Sequence, residues 1–162
     1  MATDAAARTH QSRSGAALLP FLAAAVVAAG VGGLASGSAA ETYRNLEQPV
    51  FAPPAWLFGP VWTVLYVMIA VAGWLVWRSH GWDRALTLWA VQLVLNMAWT
   101  PLFFGLREYG WALAEIAALW VAIAATAVAF RRRSRLAAVL LLPYLAWVTF
   151  AAALNAGIWW LN

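Results

Sequence analysis

Polar and aromatic side chains recur at helical spacing within otherwise apolar stretches of this sequence. They form three sets: Trp62 and Tyr66; Gln92, Asn96 and Trp99; and Tyr144, Trp147, Ala151 and Asn155. Residues three or four positions apart lie on one face of a helix. Because amides are costly in hydrocarbon unless paired, these faces should point into a helical bundle. There they could bond one helix to another, or line a cavity for a flat, mostly apolar molecule.

The other reactive residues form no familiar catalytic or metal-binding pattern. The sequence has no cysteine, and its two histidines, His10 and His80, lie far apart in polar flanks. It also lacks a glycine-rich phosphate loop, a Ser-His-Asp set and a pair of carboxylates. Glu115 lies near the start of a predicted helix, where the helix dipole tolerates a carboxylate; a proton or cation site is the functional alternative. We expect no metal site and no required cofactor.

The composition predicts an all-α integral membrane protein. Of the 162 residues, 65% are hydrophobic and only 10% are charged, against about 25% charged in soluble domains. About 20 apolar residues cross the hydrocarbon core as a helix. We predict five transmembrane helices in one domain, residues 16–162, after a disordered tail, residues 1–15. The predicted spans are 16–38, 57–78, 84–104, 109–130 and 136–160, and their short turns favour an antiparallel up-and-down bundle.

The basic residues are all arginines, and they predict the orientation of the spans. One side of the bundle would carry Arg8, Arg13, Arg78, Arg84, Arg131, Arg132, Arg133 and Arg135, and the other only Arg44 and Arg107. Cytoplasmic loops of inner-membrane proteins are enriched in arginine and lysine. The N terminus and loop 131–135 are therefore predicted to be cytoplasmic if the protein lies in a cell's inner membrane. The arginines serve topology, so nucleic acid is not an expected partner.

The first span is rich in small residues. Ala29, Gly33 and Gly37 recur every fourth residue, which allows two membrane helices to approach closely. The face could pack within the bundle or form a homodimer seam. The small residues before Glu41 also resemble the cleavage region of a signal peptide, which is a third interpretation of this span.

The stretch from Pro49 to Tyr66 is uncharged, aromatic and rich in proline. Ordinary loops are polar because their backbone needs water. Within the long loop 39–56 we therefore expect Pro49–Trp56 to act as a lid over an apolar cavity. Pro101 and Pro143 lie within predicted spans, where each should kink its helix.

Three stretches of this sequence resemble the tryptophan-rich sensory protein / translocator protein family, also called TspO/MBR or peripheral-type benzodiazepine receptors. They are PVFAPPAW followed by GPVWTVLY over residues 49–66, QLVLNMAWTPLFFG over 92–105 and PYLAWVTFAAALN over 143–155. The resemblance covers about residues 17–160, hence all five predicted spans. Since the family keeps the first helix, the resemblance argues against a cleaved signal peptide.

The resemblance implies a five-helix bundle, usually dimeric, with a ligand cavity beneath the loop between the first two helices. Family members bind porphyrins such as protoporphyrin IX, haem, sterols and benzodiazepine-type compounds. By motif, the cavity would include Tyr43, Pro49, Trp62, Asn96, Trp147 and Ala151. The implied function is a receptor-like role in stress or tetrapyrrole regulation. Light-dependent porphyrin degradation, with Trp62 and Trp147 as candidate catalytic residues, is an alternative.

Porphyrin or sterol transport is the other alternative that the resemblance implies. The absence of inverted repeats and the scarcity of intramembrane charge argue against it. The chain also departs from the family. Members often have Trp-Tyr where it has Thr42-Tyr43, and a basic residue where it has Gln48. If that basic residue holds a porphyrin carboxylate, anionic ligands should bind more weakly here. Beyond Asn155 this chain also has no counterpart of the sterol-recognition segment of animal members, so cholesterol binding by that route is not expected.

Overall fold

The computed structural model describes residues 15–35 and 39–162, and the regular elements in these ranges are helices. They are α1 (Leu18–Ala35), α2 (Ala39–Asn45), α3 (Phe58–His80), α4 (Arg84–Thr100), α5 (Tyr109–Arg131), α6 (Arg135–Leu140) and α7 (Leu142–Leu161). A 3₁₀ turn, Ala55–Leu57, precedes α3, and a π-helical turn, Pro101–Gly105, continues α4.

Four helical runs in the described part of the chain are long and apolar enough to cross a membrane. They are Ala55–His80, Arg84–Gly105, Tyr109–Arg131 and Arg135–Leu161. The apolar stretch of α1, Leu18–Gly32, is shorter. The prediction of an all-α membrane bundle is confirmed.

The long helices form a closed ring in which α1 lies between α3 and α4. Around the ring α1 packs on α3, α3 on α6, α6 and α7 on α5, α5 on α4, and α4 on α1. By contrast, α3 and α4 contact each other little, although only a short turn joins them. Phe21, Ala25 and Ala28 of α1 are buried in the core, so the first span is part of the bundle.

The junction of α1, α3 and α4 is close because Gly73 has no side chain. A Cβ atom at Gly73 would lie 2.7 Å from Cε2 of Trp89 and 2.9 Å from Cδ1 of Phe21. The indole of Trp89 therefore packs directly on the backbone of α3, where its Nε1–H donates to the carbonyl of Ile69 at 2.9 Å. Its ring meets that of Phe21 edge-on, with centroids 5.2 Å apart.

The turn between α3 and α4 is fixed by Asp83. Its Oδ1 accepts hydrogen bonds from the backbone N–H groups of Ala85 and Leu86 at 2.9 and 3.2 Å, which caps α4. Its Oδ2 lies 2.8 Å from a guanidinium nitrogen of Arg133, beyond the end of α5. Partial burial alone would raise the pKa of Asp83, but the Leu86 hydrogen bond, the Arg133 pair and the Ala85 hydrogen bond together lower it.

Both intramembrane prolines mark irregular helix geometry. At Pro143 the predicted span 136–160 divides into α6 and α7, separated by Leu141. At Pro101 the helix widens into the π turn, closed by a 2.9 Å hydrogen bond from the N–H of Leu106 to the carbonyl of Pro101. Arg107 then adopts a φ of 57°, which stops the helix before α5 begins.

Part of the predicted loop 39–56 is helical instead. Its first residues, Ala39, Ala40 and Glu41, begin α2. Alanine has the highest helix propensity, and a carboxylate in the first turn interacts favourably with the helix dipole. The loop prediction overlooked these local preferences because prolines dominate the segment that follows.

Candidate ligand-binding site

A cavity of about 440 Å³ lies inside the ring of helices. Volumes of roughly 300–1,000 Å³ are typical of small-molecule sites. Helices α1 to α5 and α7, with the 3₁₀ and π turns, all contribute to its wall. The lining residues are apolar, aromatic or neutral polar: Ala29, Gly32, Ala39, Ala40, Tyr43, Ala55, Phe58, Gly59, Trp62, Thr63, Tyr66, Asn96, Trp99, Thr100, Phe104, Ile116, Leu119, Trp147, Val148 and Ala151.

The wall formed by α3 and α4 carries a short hydrogen-bond chain. The hydroxyl of Tyr66 donates to Oδ1 of Asn96 at 2.7 Å, and Nδ2 of Asn96 donates to the hydroxyl of Tyr144 at 3.0 Å. The ring of Trp62 lies beside both tyrosines, with centroid distances of 5.4 Å to Tyr66 and 6.0 Å to Tyr144. These bonds hold the aromatic surface of the wall in place.

Trp147 of α7 forms another part of the wall. Its ring packs between Phe58 and Phe150, with centroid distances of 5.8 and 5.4 Å. Its Nε1 is buried and has no hydrogen-bond partner among the described residues. A buried indole N–H normally finds an acceptor. The atom is also inaccessible to solvent, so this N–H stays unsatisfied in the described structure.

The cover of the cavity is α2 with the 3₁₀ turn. Ala39, Ala40 and Tyr43 line the cavity from α2, and Ala55 lines it from the turn. The hydroxyl of Tyr43 donates to the carbonyl of Pro53 at 2.9 Å, which ties α2 to the loop. Burial raises the pKa of Tyr43, so this hydroxyl keeps its proton.

Pro49, the first proline of the predicted lid, packs on a helix and does not line the cavity. A Cβ atom at Gly157 would lie 3.0 Å from Cγ of Pro49, so this proline packs on α7. The loop is further held by Asn162, whose Oδ1 accepts from the N–H of Glu47 at 3.1 Å and whose Nδ2 donates to the carbonyl of Glu47 at 3.0 Å. The loop is thus fixed to α7 and to Asn162, and α2 is tied to the same loop through Tyr43.

Most of the sequence-predicted site residues meet at the cavity. Its wall includes Tyr43, Trp62, Tyr66, Asn96, Trp99, Trp147 and Ala151. Tyr144 lies behind the wall and is fully buried. Gln92 is also buried, with its Nε2 donating to the carbonyl of Trp89 at 2.9 Å and its Oε1 unpartnered among the described residues.

Asn155 bonds one helix to others, which was one of the two roles predicted for the amides within the spans. Its Oδ1 accepts from Nε1 of Trp99 at 3.1 Å, and its Nδ2 donates to the carbonyl of Tyr109 at 2.9 Å. The amide therefore connects α7 to α4 and to the start of α5. Like Pro49, it lies outside the cavity lining.

Sequence reasoning missed several lining residues. Phe58 precedes the periodic part of α3, but its aromatic type within Pro49–Tyr66 was a usable signal. Ile116 and Leu119 line the cavity from α5, where they are indistinguishable from ordinary core residues. Ala29 was predicted as part of a dimer seam, yet it also lines the cavity.

The dimer seam itself falls partly outside the described structure. Gly37 lies outside the described residues, and the surroundings of Gly33 are not described either. Homodimerisation through α1 stays a prediction.

Charge is absent from the described lining. Gln48, which precedes Pro49, donates its amide to the carbonyl of Tyr43. Glu115 lies on α5 next to the lining residue Ile116, and both of its carboxyl oxygens are buried without a hydrogen-bond partner in the described part of the chain. The site therefore favours flat, neutral and mostly apolar molecules.

Comparison with known proteins agrees with this architecture. The model of the TspO/MBR family matches residues 16–161. The chain is 44% identical to the Translocator protein of Homo sapiens over 128 residues, 76% of each chain. It is 42% identical to the Tryptophan-rich protein TspO of Archaeoglobus fulgidus over 142 residues, covering 85% of this chain and 92% of that one. It is 41% identical to the Tryptophan-rich sensory protein of Cereibacter sphaeroides over 140 residues, 86% and 87% of the two chains. This integral membrane protein therefore belongs to the TspO/MBR family.

Proposed function

We propose that the cavity binds a tetrapyrrole, such as protoporphyrin IX or haem, and that the protein acts as a receptor-like sensor in stress or tetrapyrrole regulation. The observation that supports the proposal is the wall itself, in which Trp62 and Trp147 line a cavity that has no charged residue in its described lining. Flat aromatic ligands gain from offset stacking and edge contacts with such side chains. Sterols and benzodiazepine-type compounds are alternative occupants of the same site.

Tryptophan fluorescence tests this proposal directly. The protein in mild detergent is titrated with protoporphyrin IX, and saturable quenching is expected. The double variant Trp62→Phe plus Trp147→Phe should lose most of the saturable component. A matched control, Trp82→Phe plus Trp111→Phe, removes two exposed indoles, 62% and 71% accessible, that do not line the cavity. Equal behaviour of the two double variants would remove the site assignment.

The lack of charge in the lining allows a sharper test of ligand preference. Protoporphyrin IX dimethyl ester lacks the two carboxylates of the free acid. Because unpaired charge is costly to bury, the ester is expected to bind at least as tightly as the diacid. Much weaker binding of the ester would show that a cation outside the described lining recognises the carboxylates.

Light-dependent porphyrin degradation is the second candidate function. It is favoured by the placement of both candidate tryptophans, Trp62 and Trp147, on the cavity wall. Illumination should then bleach bound protoporphyrin IX faster than the free pigment, and the double phenylalanine variant should abolish the difference. Equal rates for bound and free pigment would leave binding as the function.

We also propose that the arginine-rich end of the bundle is cytoplasmic. Arg78 lies in the last turn of α3, Arg84 begins α4, and Arg131 and Arg135 flank the turn between α5 and α6. The native sequence contains no cysteine, so single cysteines can be labelled without a modified background. In intact cells an impermeant maleimide should label Glu108→Cys but not Ser79→Cys. The reverse pattern would invert the topology.

A further inference from the structure

A second concave surface lies on the outside of the bundle, between the start of α4 and the end of α5. It is a groove of about 560 Å³ and shares no lining residue with the ligand cavity. Arg84, Arg132 and Arg133 stand at one end, and apolar side chains such as Leu88, Ala125 and Val128 form the rest. The groove thus combines a cationic end with a lipid-facing apolar trough.

The charge at the cationic end is not neutralised within the described structure. Arg133 is paired with Asp83 at 2.8 Å. Arg84 and Arg132 make no ion pair with a described residue, and Asp83 is the only described carboxylate at this end of the bundle. Two guanidinium groups are therefore left to bind an anion at the level where lipid headgroups lie.

The apolar trough exists because small side chains line it. Ala124 and Ala125 of α5 contribute its floor, whereas Val128 is 62% exposed at its side. The trough leads from the arginines along α5 towards Trp120. An acyl chain lying there would replace loose lipid contact with close packing on both helices.

We propose that this groove binds an anionic phospholipid, with its phosphate between Arg84 and Arg132 and one acyl chain along the alanine-lined trough. The guanidinium fork suits phosphate oxygens. Basic pockets between transmembrane helices are a recurrent form of site for anionic lipid headgroups. The lipid here is a bound partner at a defined position, in addition to the surrounding bilayer.

Native mass spectrometry in mild detergent tests the headgroup contact. The full-length protein is titrated with phosphatidylglycerol and, in parallel, with phosphatidylcholine of the same acyl chains. Phosphatidylglycerol should bind more tightly. Arg84→Gln plus Arg132→Gln should weaken it about 25-fold, since each arginine near a headgroup contributes roughly fivefold. Arg131→Gln plus Arg135→Gln removes the same charge from the same end, outside the groove, and should leave the affinity near wild type.

A second variant tests the acyl trough without changing charge. Ala125→Leu fills the floor and should weaken phosphatidylglycerol binding, whereas Ala118→Leu, on an exposed part of α5, should not. If both double arginine variants lose the same affinity for phosphatidylglycerol, the attraction is diffuse electrostatics and the proposed site is wrong. If Ala125→Leu leaves lipid binding intact but removes a dimer peak, the groove is an interface between two copies and the proposal fails.

Discussion

Replacing Gly73 by alanine tests whether the close approach of α1, α3 and α4 is as tight as the structure indicates. The new Cβ would lie 2.7 Å from Cε2 and 2.9 Å from Nε1 of Trp89, distances that real Cβ contacts do not reach. The indole must move, and its hydrogen bond to the carbonyl of Ile69 would be stretched or lost. Because Trp89 is only 4% exposed, the displaced N–H would find no water molecule as a partner.

Three terms set the magnitude. Overpacking a core costs about 1–3 kcal/mol. Leaving a buried donor unsatisfied costs a further 1–3 kcal/mol or so. The better helix propensity of alanine returns about 1 kcal/mol. We therefore expect Gly73→Ala to lower the free energy of unfolding by about 3 kcal/mol, a sum of these terms.

The assay is reversible unfolding by dodecyl sulfate in mixed micelles, followed by far-ultraviolet circular dichroism. Gly59→Ala is the matched control, because it makes the same change in the same helix and its Cβ meets no atom within 4 Å. It should be neutral or slightly stabilising. Adding Trp89→Leu to Gly73→Ala should cost less than the sum of the two single changes, because the clash disappears. Equal stabilities of Gly73→Ala and Gly59→Ala would refute the packing argument.

Three further predictions concern polar groups. Asp83→Asn keeps a good N-cap but loses the charge pair with Arg133, so it should cost about 0.2–1 kcal/mol at neutral pH. Since the folded-state pKa of Asp83 is lowered, its ionised carboxylate stabilises the wild-type protein at pH values above the ordinary pKa of 3.8. This stabilisation is lost as the pH falls below 3.8, and unfolding curves of Asp83→Asn should lack this change. Glu115→Gln should leave the free energy of unfolding at neutral pH near the wild-type value or raise it by up to about 1 kcal/mol, because a buried carboxyl group without a partner must carry a costly charge or hold its proton, and a neutral amide does neither; a loss of stability would reveal a partner for the carboxyl group. Asn155→Leu should destabilise the protein by about 1–3 kcal/mol, since it leaves the partly buried N–H of Trp99 without its acceptor, while leaving porphyrin affinity near wild type; a large fall in affinity with normal stability would place Asn155 in the site.

Helical spacing identified which faces of the spans point into the bundle, but it did not show which turns along each helix border the cavity. Trp147 and Ala151 line the cavity, whereas Tyr144 and Asn155, on the same face, lie beyond it in opposite directions along α7. Which turns border open space depends on where α3 and α5 pack on α7, and these contacts are distant in sequence. Polar type alone could not separate Asn155, which joins helices, from Asn96, which reaches the cavity wall.

The same limit applies to the lid. Proline and aromatic content predicted an apolar cover over residues 49–56, and the chain does carry an apolar cover, but α2 and Ala55 provide it. Pro49 instead packs on α7, because Gly157 leaves room for it. That fit involves two residues more than a hundred positions apart, so no local pattern could reveal it.

The ring order of the helices has a consequence for how the protein is made. The last span, α6 and α7, fills the gap between α3 and α5, and it supplies Trp147, Val148 and Ala151 to the cavity wall. During synthesis the first four spans would enter the bilayer as an open crescent with Tyr66 and Asn96 facing the gap. The cavity is therefore completed only when the final span inserts, so a ligand that binds there would report on the end of biogenesis as well as on the finished fold.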